Sequence, residues 1–320
     1  MQWGGGRPGL VALMLLAAAH AFAAEPLRLC LNWAPGADHA PWYFGRAEGW
    51  FAEAGLALEL EPGGGSGAAV SRLLGGGCEA ALADFGSVLE SRGRQGPVLA
   101  VMASFTDSPL AFFTRSPRRL DGPGDLAGLR AAASPGELAR RLWPWLAQGN
   151  TASGVIWVDL PNNAKVAALA SGAVDVVANS FYHHALEFER AFGADLQSLR
   201  WRDHGRNPHS QVLVVTEALA QARPERVSRL VQVAQRAHLA CVARPQRCLD
   251  ALLDSNPHLD ADDERARWAL AAPLVAPPGR SGAVFGRLVP ERVRSDPRIG
   301  TLDPEGAVTN RFLSPEWRLP

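Results

Sequence analysis

The sequence predicts an α/β fold of two lobes, each on a parallel-rich sheet, with the chain crossing between them twice. Three observations carry this. Strand-like and helix-like segments alternate from Leu27 to Thr216, with Gly- and Pro-rich turns between them. The alternation is interrupted around "TDSPLAFFTRS" and then resumes as a second set of units. From Glu217 the chain turns mostly helical. A length of 320 residues suits two lobes of ordinary domain size.

Each element follows from local pattern. "LRLCLNW" reads as a strand, and "PWYFGRAEGWFAEAGL" as a helix with Gly55 as its stop. "ALELEP" alternates as a strand does, "GGGSGAAVSRLLGGG" is a glycine loop with a short helix, and "EAALADF" is a strand. Right-handed crossovers then make the sheet parallel. "GSVLESRGRQG" and "PVLAVMASF" add a helix and a strand. In the second set, "DLAGLRAAAS", "GVIWVDL" and "AVDVVANS" are strands. "GELARRLWPWLAQG" (interrupted at Pro144), "PNNAKVAALASG" and "FYHHALEFERAFG" are helices. "QVLVVT" returns as a strand after "WRDHGRNPHS". The expected division is a leader at 1–24, a first lobe of 25–116 plus 210–320, and a second lobe of 117–209.

Bulk chemistry narrows the function. Apolar residues make up 47% and charged residues 20%, as in a globular protein. Lys+Arg and Asp+Glu balance at 32 each, so no general field attracts nucleic acid or an anionic membrane. Lys165 is the only lysine, which restricts amine chemistry to one side chain; its place reads as a helix surface. Residues 1–24 have a targeting pattern: Arg7, the apolar "LVALMLLAAAHAFAA", and a small-x-small site at Ala21–Ala23. A cleaved leader and a soluble exported chain are expected. Cys30 and Cys78 are expected to be buried and unpaired. Cys241 and Cys248 flank "VARPQR", which leaves a local bridge or two free thiols open.

A chain that crosses twice encloses a cleft. In open α/β sheets, ligands bind beyond the carboxyl ends of the strands. The turn "NWAPGADH", "SFTDSP", "SPGE" and "NSFYHH" all fall at such ends.

The run from Leu31 to Ser104 resembles the periplasmic substrate-binding proteins of ABC transporters in the thiamine-pyrimidine-precursor group. The matching residues are Trp33, Pro35, His39, Gly49, Phe51, Gly55 and Leu56. "DLAGLRAAASPG", "ALASGAVDVV", "DHG" and "VTNRFLS" extend the likeness over nearly the whole mature chain. There are departures: Gly36 stands where the pattern has Asn, and the second-lobe glutamate expected near an aromatic-Asn-aromatic run is not evident in "NSFYHHALE". The resemblance implies the type II periplasmic binding protein fold and a periplasmic monomer. It also implies delivery of a pyrimidine-type thiamine precursor, or a similar planar heterocycle, to permease subunits. Neither a cofactor nor an enzymatic activity is implied. A binder of alkanesulfonates or other small anions is the alternative. A pyrimidine synthase of the same fold is a remote one, since Lys165 lies in the second lobe and the cysteine-rich segment of such enzymes is absent.

The residues expected to line the cleft are Trp33, Asp38, His39, Tyr43, Ser66, Ser104, Ser134, Asn179, Tyr182 and His183. Trp33 suits a stacking platform, the alternative being core packing under the loop. His39 suits hydrogen bonding to a ring edge, or to local backbone. Trp50 is expected in the core. Ser66 and Ser134 each stand at the start of a helix, where backbone N–H groups point outward. "GGGSG" lacks the Gly-Lys-Ser ending of a phosphate loop. Tyr182, His183 and His184 form a cluster suited to hydrogen bonding; a metal there would need further ligands at workable spacing. Asp203 reads as a hinge-loop anchor.

Overall fold

The computed structural model describes residues 1, 24–134, 137–147, 154–292 and 306–320. The expected leader therefore lies outside the described residues except at Met1 and Ala24, as does half of "SPGE". The strands are β1 (Glu25–Cys30), β2 (Leu56–Glu61), β3 (Ala80–Asp84), β4 (Val98–Ala103), β5 (Leu110–Arg115), β6 (Arg130–Ala132), β7 (Ile156–Val158), β8 (Val176–Ser180), β9 (Leu196–Arg200) and β10 (Gln211–Thr216). The helices of the first half are α1 (Ala40–Ala47), α2 (Trp50–Glu53), α3 (Ser66–Leu74), α4 (Phe85–Arg94), α5 (Leu138–Arg141) and α6 (Trp143–Leu146). Those of the second are α7 (Asn162–Ser171), α8 (Phe181–Phe192), α9 (Glu217–Ala222), α10 (Pro224–Ala243), α11 (Pro245–Ser255) and α12 (Ala261–Val275).

Two five-stranded sheets share one plan. The first runs β2-β1-β3-β10-β4 and the second β7-β6-β8-β5-β9. β1 pairs in parallel with β2 and β3, while β10 runs antiparallel between β3 and β4. In the second sheet β6 pairs in parallel with β7 and β8, and β5 runs antiparallel between β8 and β9. Each antiparallel insertion is the strand that follows a crossing. The fold is thus the expected two-sheet α/β arrangement.

The side-chain alternation of each strand feeds two cores per sheet. Leu213 and Val215 of β10 face the core under α1, α10 and α12, while Val212 and Val214 face the core under α3 and α4. Phe112 and Phe113 divide the second sheet in the same way.

Several expectations are corrected. β5 belongs to the second sheet, so the first crossing falls at 104–109 rather than at 116. "LQSLR" forms β9, an edge strand that its mixed polarity conceals. The opening helix is two pieces, because Gly49 takes a left-handed φ of 76° between α1 and α2. Cys30 at the end of β1 and Cys78, just before β3, form a disulfide and are not unpaired. Sequence spacing does not reveal this contact, since the two are 48 residues apart. Cys241 and Cys248 form the local bridge.

Lys165 is fully buried rather than on a helix surface; its ammonium donates to Glu137 at 2.7 Å and to the Ala178 carbonyl at 2.9 Å. Burial lowers its pKa and Glu137 opposes the shift. Asp107 anchors the crossings, and Asp203 lies 3.5 Å from the Arg202 guanidinium within the second of them. Asn207 donates to Asp107 at 2.7 Å, Arg202 and Arg280 lie 3.4 Å from it, and Asn207 in turn accepts the Ser108 N–H at 2.7 Å. The "TNRFL" stretch is structural: Asn310 exchanges two hydrogen bonds with Leu288, and Phe312 is buried in the first core.

Candidate functional site

The carboxyl ends of β1, β3 and β8 open into a cleft of about 230 Å³ between the sheets. Asn32, Trp33, Asp38, Gly65, Ser66 and Asp84 line it from the first lobe; Ser180, Tyr182, His183 and His184 line it from the second. A larger hollow of about 380 Å³ lies around Arg115, Arg118 and Asp175. It is confined to the second lobe, and Asp175 there is already engaged by Arg118 and Arg130. The interlobe cleft is therefore the candidate site.

The opening turn is braced from beneath. Burial holds the His39 imidazole neutral, lowering its pKa against the opposing pull of Asp38. Its Nε2 lies 2.9 Å from Asn32 Oδ1, an oxygen that only accepts, so Nε2 carries the proton. Gln211 Nε2 donates to the same oxygen at 3.2 Å and to Asp38 Oδ2 at 2.9 Å. The glycine loop packs directly on this turn. Gly65 N–H donates to Asn32 O at 2.7 Å, and a Cβ at Gly63 would stand 1.8 Å from the Leu31 carbonyl oxygen. That close approach requires glycine, and it sets Ser66 at the cleft wall. Ser66 Oγ accepts the Asp84 N–H at 2.9 Å and lies 3.2 Å from Asp84 Oδ2; Ser210 donates to the other carboxylate oxygen at 3.2 Å.

The opposite wall is the first turn of α8. The Tyr182 hydroxyl donates to Asp38 Oδ2 at 3.2 Å across the cleft. Burial, then the charges of Asp38 and Asp84, raise its pKa well above the ordinary value, so it remains a donor. His184 is driven down to about 2, first by burial and then by His183, Lys165 and Arg267, so it is neutral. Its Nδ1 is buried without a hydrogen-bond partner. Trp33 stands at the rim, 49% exposed. Among the described residues lining the cleft, the acidic side chains are Asp38 and Asp84, with no lysine or arginine.

Of the residues expected at this site, Trp33, Asp38, Ser66, Tyr182 and His183 line the cleft together. The others do not. His39 lies wholly under the turn. Tyr43 is packed in the first core, beneath Arg46 and bonded to Asn256, because the helix turns its ring away from the strand ends. Ser104 is 1% exposed and sits in the crossing. Ser134 Oγ donates to Leu160 O at 3.1 Å inside the second lobe. Asn179 is buried, its Oδ1 capping Ser180 N–H at 3.0 Å. Sequence reasoning missed Asn32, Gly65, Asp84 and Ser180. Asp84 was within reach of the strand-end rule, since it closes "ALAD" at the end of β3.

Two lobes, two crossings and a cleft at the strand ends define the periplasmic binding protein fold. A family model described as NMT1/THI5 like matches residues 36–248, and the chain belongs to that family. No curated protein sequence matches it. Among solved structures, the periplasmic aliphatic sulphonate binding protein SsuA from Escherichia coli is similar at TM-score 0.65 and 11% identity, over 77% of this chain and 84% of that one. The alkanesulfonate-binding protein SsuA from Xanthomonas axonopodis pv. citri, bound to MOPS, is similar at TM-score 0.61 and 14% identity, over 89% and 98%. The periplasmic nitrate-binding protein NrtA from Synechocystis PCC 6803 is similar at TM-score 0.55 and 12% identity, over 74% and 68%.

Proposed function

We propose that the chain is the solute-capturing component of an ABC importer, working in the periplasm as a monomer with permease subunits. Its solute is a small planar nitrogen heterocycle of the pyrimidine-precursor type. The observation that carries this reading is the pairing of an exposed Trp33 with Asp38 and Asp84 in one cleft. An aromatic face stacks on a flat ring, and carboxylates accept from its amino and ring N–H groups. The acid missing from the second lobe is thereby supplied by the first. Closure about the two crossings would bury the ring between Trp33 and the first turn of α8. Lys165 is buried beside Glu137 rather than in the cleft, which supports a binder over an aldimine-forming enzyme.

A second reading is capture of a small anion such as an alkanesulfonate, as the solved neighbours SsuA and NrtA do by their descriptions. It is favoured by the amino ends of α3 and α8, which reach the cleft at Ser66 and at Ser180. Against it, Asp84 already occupies the amino end of α3 through Ser66. A thermal-shift panel separates the two. The mature chain is melted with formylaminopyrimidine, hydroxymethylpyrimidine, thiamine, riboflavin, taurine and nitrate, since a ligand that binds only the folded state raises the melting temperature. Stabilisation by a pyrimidine supports the first reading. Stabilisation by taurine or nitrate alone replaces it with the second.

A further inference from the structure

α8 joins both halves of the molecule. It begins in the cleft with Tyr182, His183 and His184, and packs Phe181, Ala185 and Phe188 on the second sheet. Two turns on, Arg190 grips Asp263 of α12 with both terminal nitrogens, one of them at 3.0 Å. Arg267, one turn along α12, lies 3.9 Å from both Glu187 and Asp263. α12 belongs to the first lobe, where Trp268, Ala271, Leu274 and Val275 are core residues. Leu270 packs against the cores of both lobes.

The same helix reaches back to the cleft. Arg267 donates to Glu264 at 2.5 Å, and the other oxygen of Glu264 accepts the Ala37 N–H at 2.6 Å. Glu264 is 2% exposed. Ala37 leads into Asp38, which the Tyr182 hydroxyl of α8 meets. The contacts form a closed circuit from the cleft through α12 and back along α8.

We infer that the ion pairs between α8 and α12 are an interlobe latch that holds the cleft closed and regulates solute exchange. This purpose rests on the capture role proposed above. The circuit has two kinds of joint. Glu264 and Arg267 are within one helix and largely buried, so salt screens them little and they stay together when the lobes part. Arg190 and Asp263 meet at the rim, with side-chain exposures of 58% and 19%, and dissolved ions screen such a pair. Opening would therefore break the outer pairs and the Tyr182–Asp38 bond. It would leave Glu264 bracing the turn. Arg190 stands eight residues beyond Tyr182, about 12 Å along the helix axis, so the latch acts without touching the solute.

The test is small-angle X-ray scattering on the mature, ligand-free chain at low and high NaCl. The variants are Arg190→Ala, Asp263→Asn, the double variant, and Arg190→Lys as the charge-conserving control. The latch predicts a compact wild type at low salt that expands at high salt. Each single variant should be expanded at low salt already, and the double no more expanded than either single, as for two halves of one contact. Arg190→Lys should fall closer to the wild type. Melting curves establish that each variant folds. Scattering from the variants that matches the wild type at both salts, additive effects in the double, or a wild type already expanded at low salt would each overturn the latch. No solute is present, so the result is independent of what the cleft binds.

Discussion

The Tyr182 hydroxyl and Asp38 Oδ2 meet at 3.2 Å, and they come from opposite lobes. Gln211 holds the same carboxylate oxygen at 2.9 Å from within the first lobe. Tyr182→Phe removes only the bond across the cleft. A net hydrogen bond to stability or binding is worth about 0.5–1.5 kcal/mol. The bond is already made without solute, so the expected result is ligand-free stability lowered by about that amount. Melting of the one variant at low salt checks it.

Trp33 is 49% exposed, so it contributes little to the folded core. Trp33→Ala should cost roughly 1–3 kcal/mol of binding, the range for losing an aromatic stacking partner. A core tryptophan would instead cost about 3–5 kcal/mol of stability. A large loss of ligand-free stability with affinity preserved would make Trp33 structural.

Acid should destabilise the fold through its buried histidines. Burial foremost lowers His238 to about 4, His209 to about 3 and His184 to about 2. The unfolded chain takes up protons near pH 6.5 that the folded chain refuses. The stability is therefore fully present above pH 6.5 and is lost as pH falls toward the folded values. Each histidine contributes up to about 1.4 kcal/mol per pH unit over its window. His209 Nε2 accepts the Val289 N–H at 2.7 Å, and protonation would destroy that bond. His209→Gln offers an acceptor that cannot ionise, so its melting temperature should fall less steeply from pH 7 to 4. An unchanged slope would show that His209 does not carry the effect.

The two disulfides close loops of very different length. Cys30 and Cys78 are 48 residues apart and Cys241 and Cys248 only seven. By loop entropy their removal should cost about 4 and about 2.5 kcal/mol. Denaturant titration of the paired Cys→Ser variants measures the difference, and alkylation of the unfolded, unreduced chain should find no free thiol.

The two-lobed plan was legible because strand and helix periods differ, and the crossings stood out where the alternation faltered. "LQSLR" was not legible, since an edge strand half open to solvent lacks a clean apolar face. Strand ends point directly to residues that line the cleft, as at Trp33, Asp38 and Tyr182. They do not help where a helix face decides: Tyr43 follows Trp42 by one residue, and only packing tells which way each ring points. Lys165 was misplaced for the same reason, because a burying partner such as Glu137 is 28 residues away. Asp84 shows the reverse case, an ordinary residue in sequence that Ser66 and Ser210 make part of a wall.

The most direct measurement is calorimetric titration of residues 25–320 with hydroxymethylpyrimidine and, separately, with taurine. The account predicts saturable one-site binding of the pyrimidine, weakened in Trp33→Ala and in Asp84→Asn, and no heat from taurine. Saturable binding of taurine with none of the pyrimidine would contradict it.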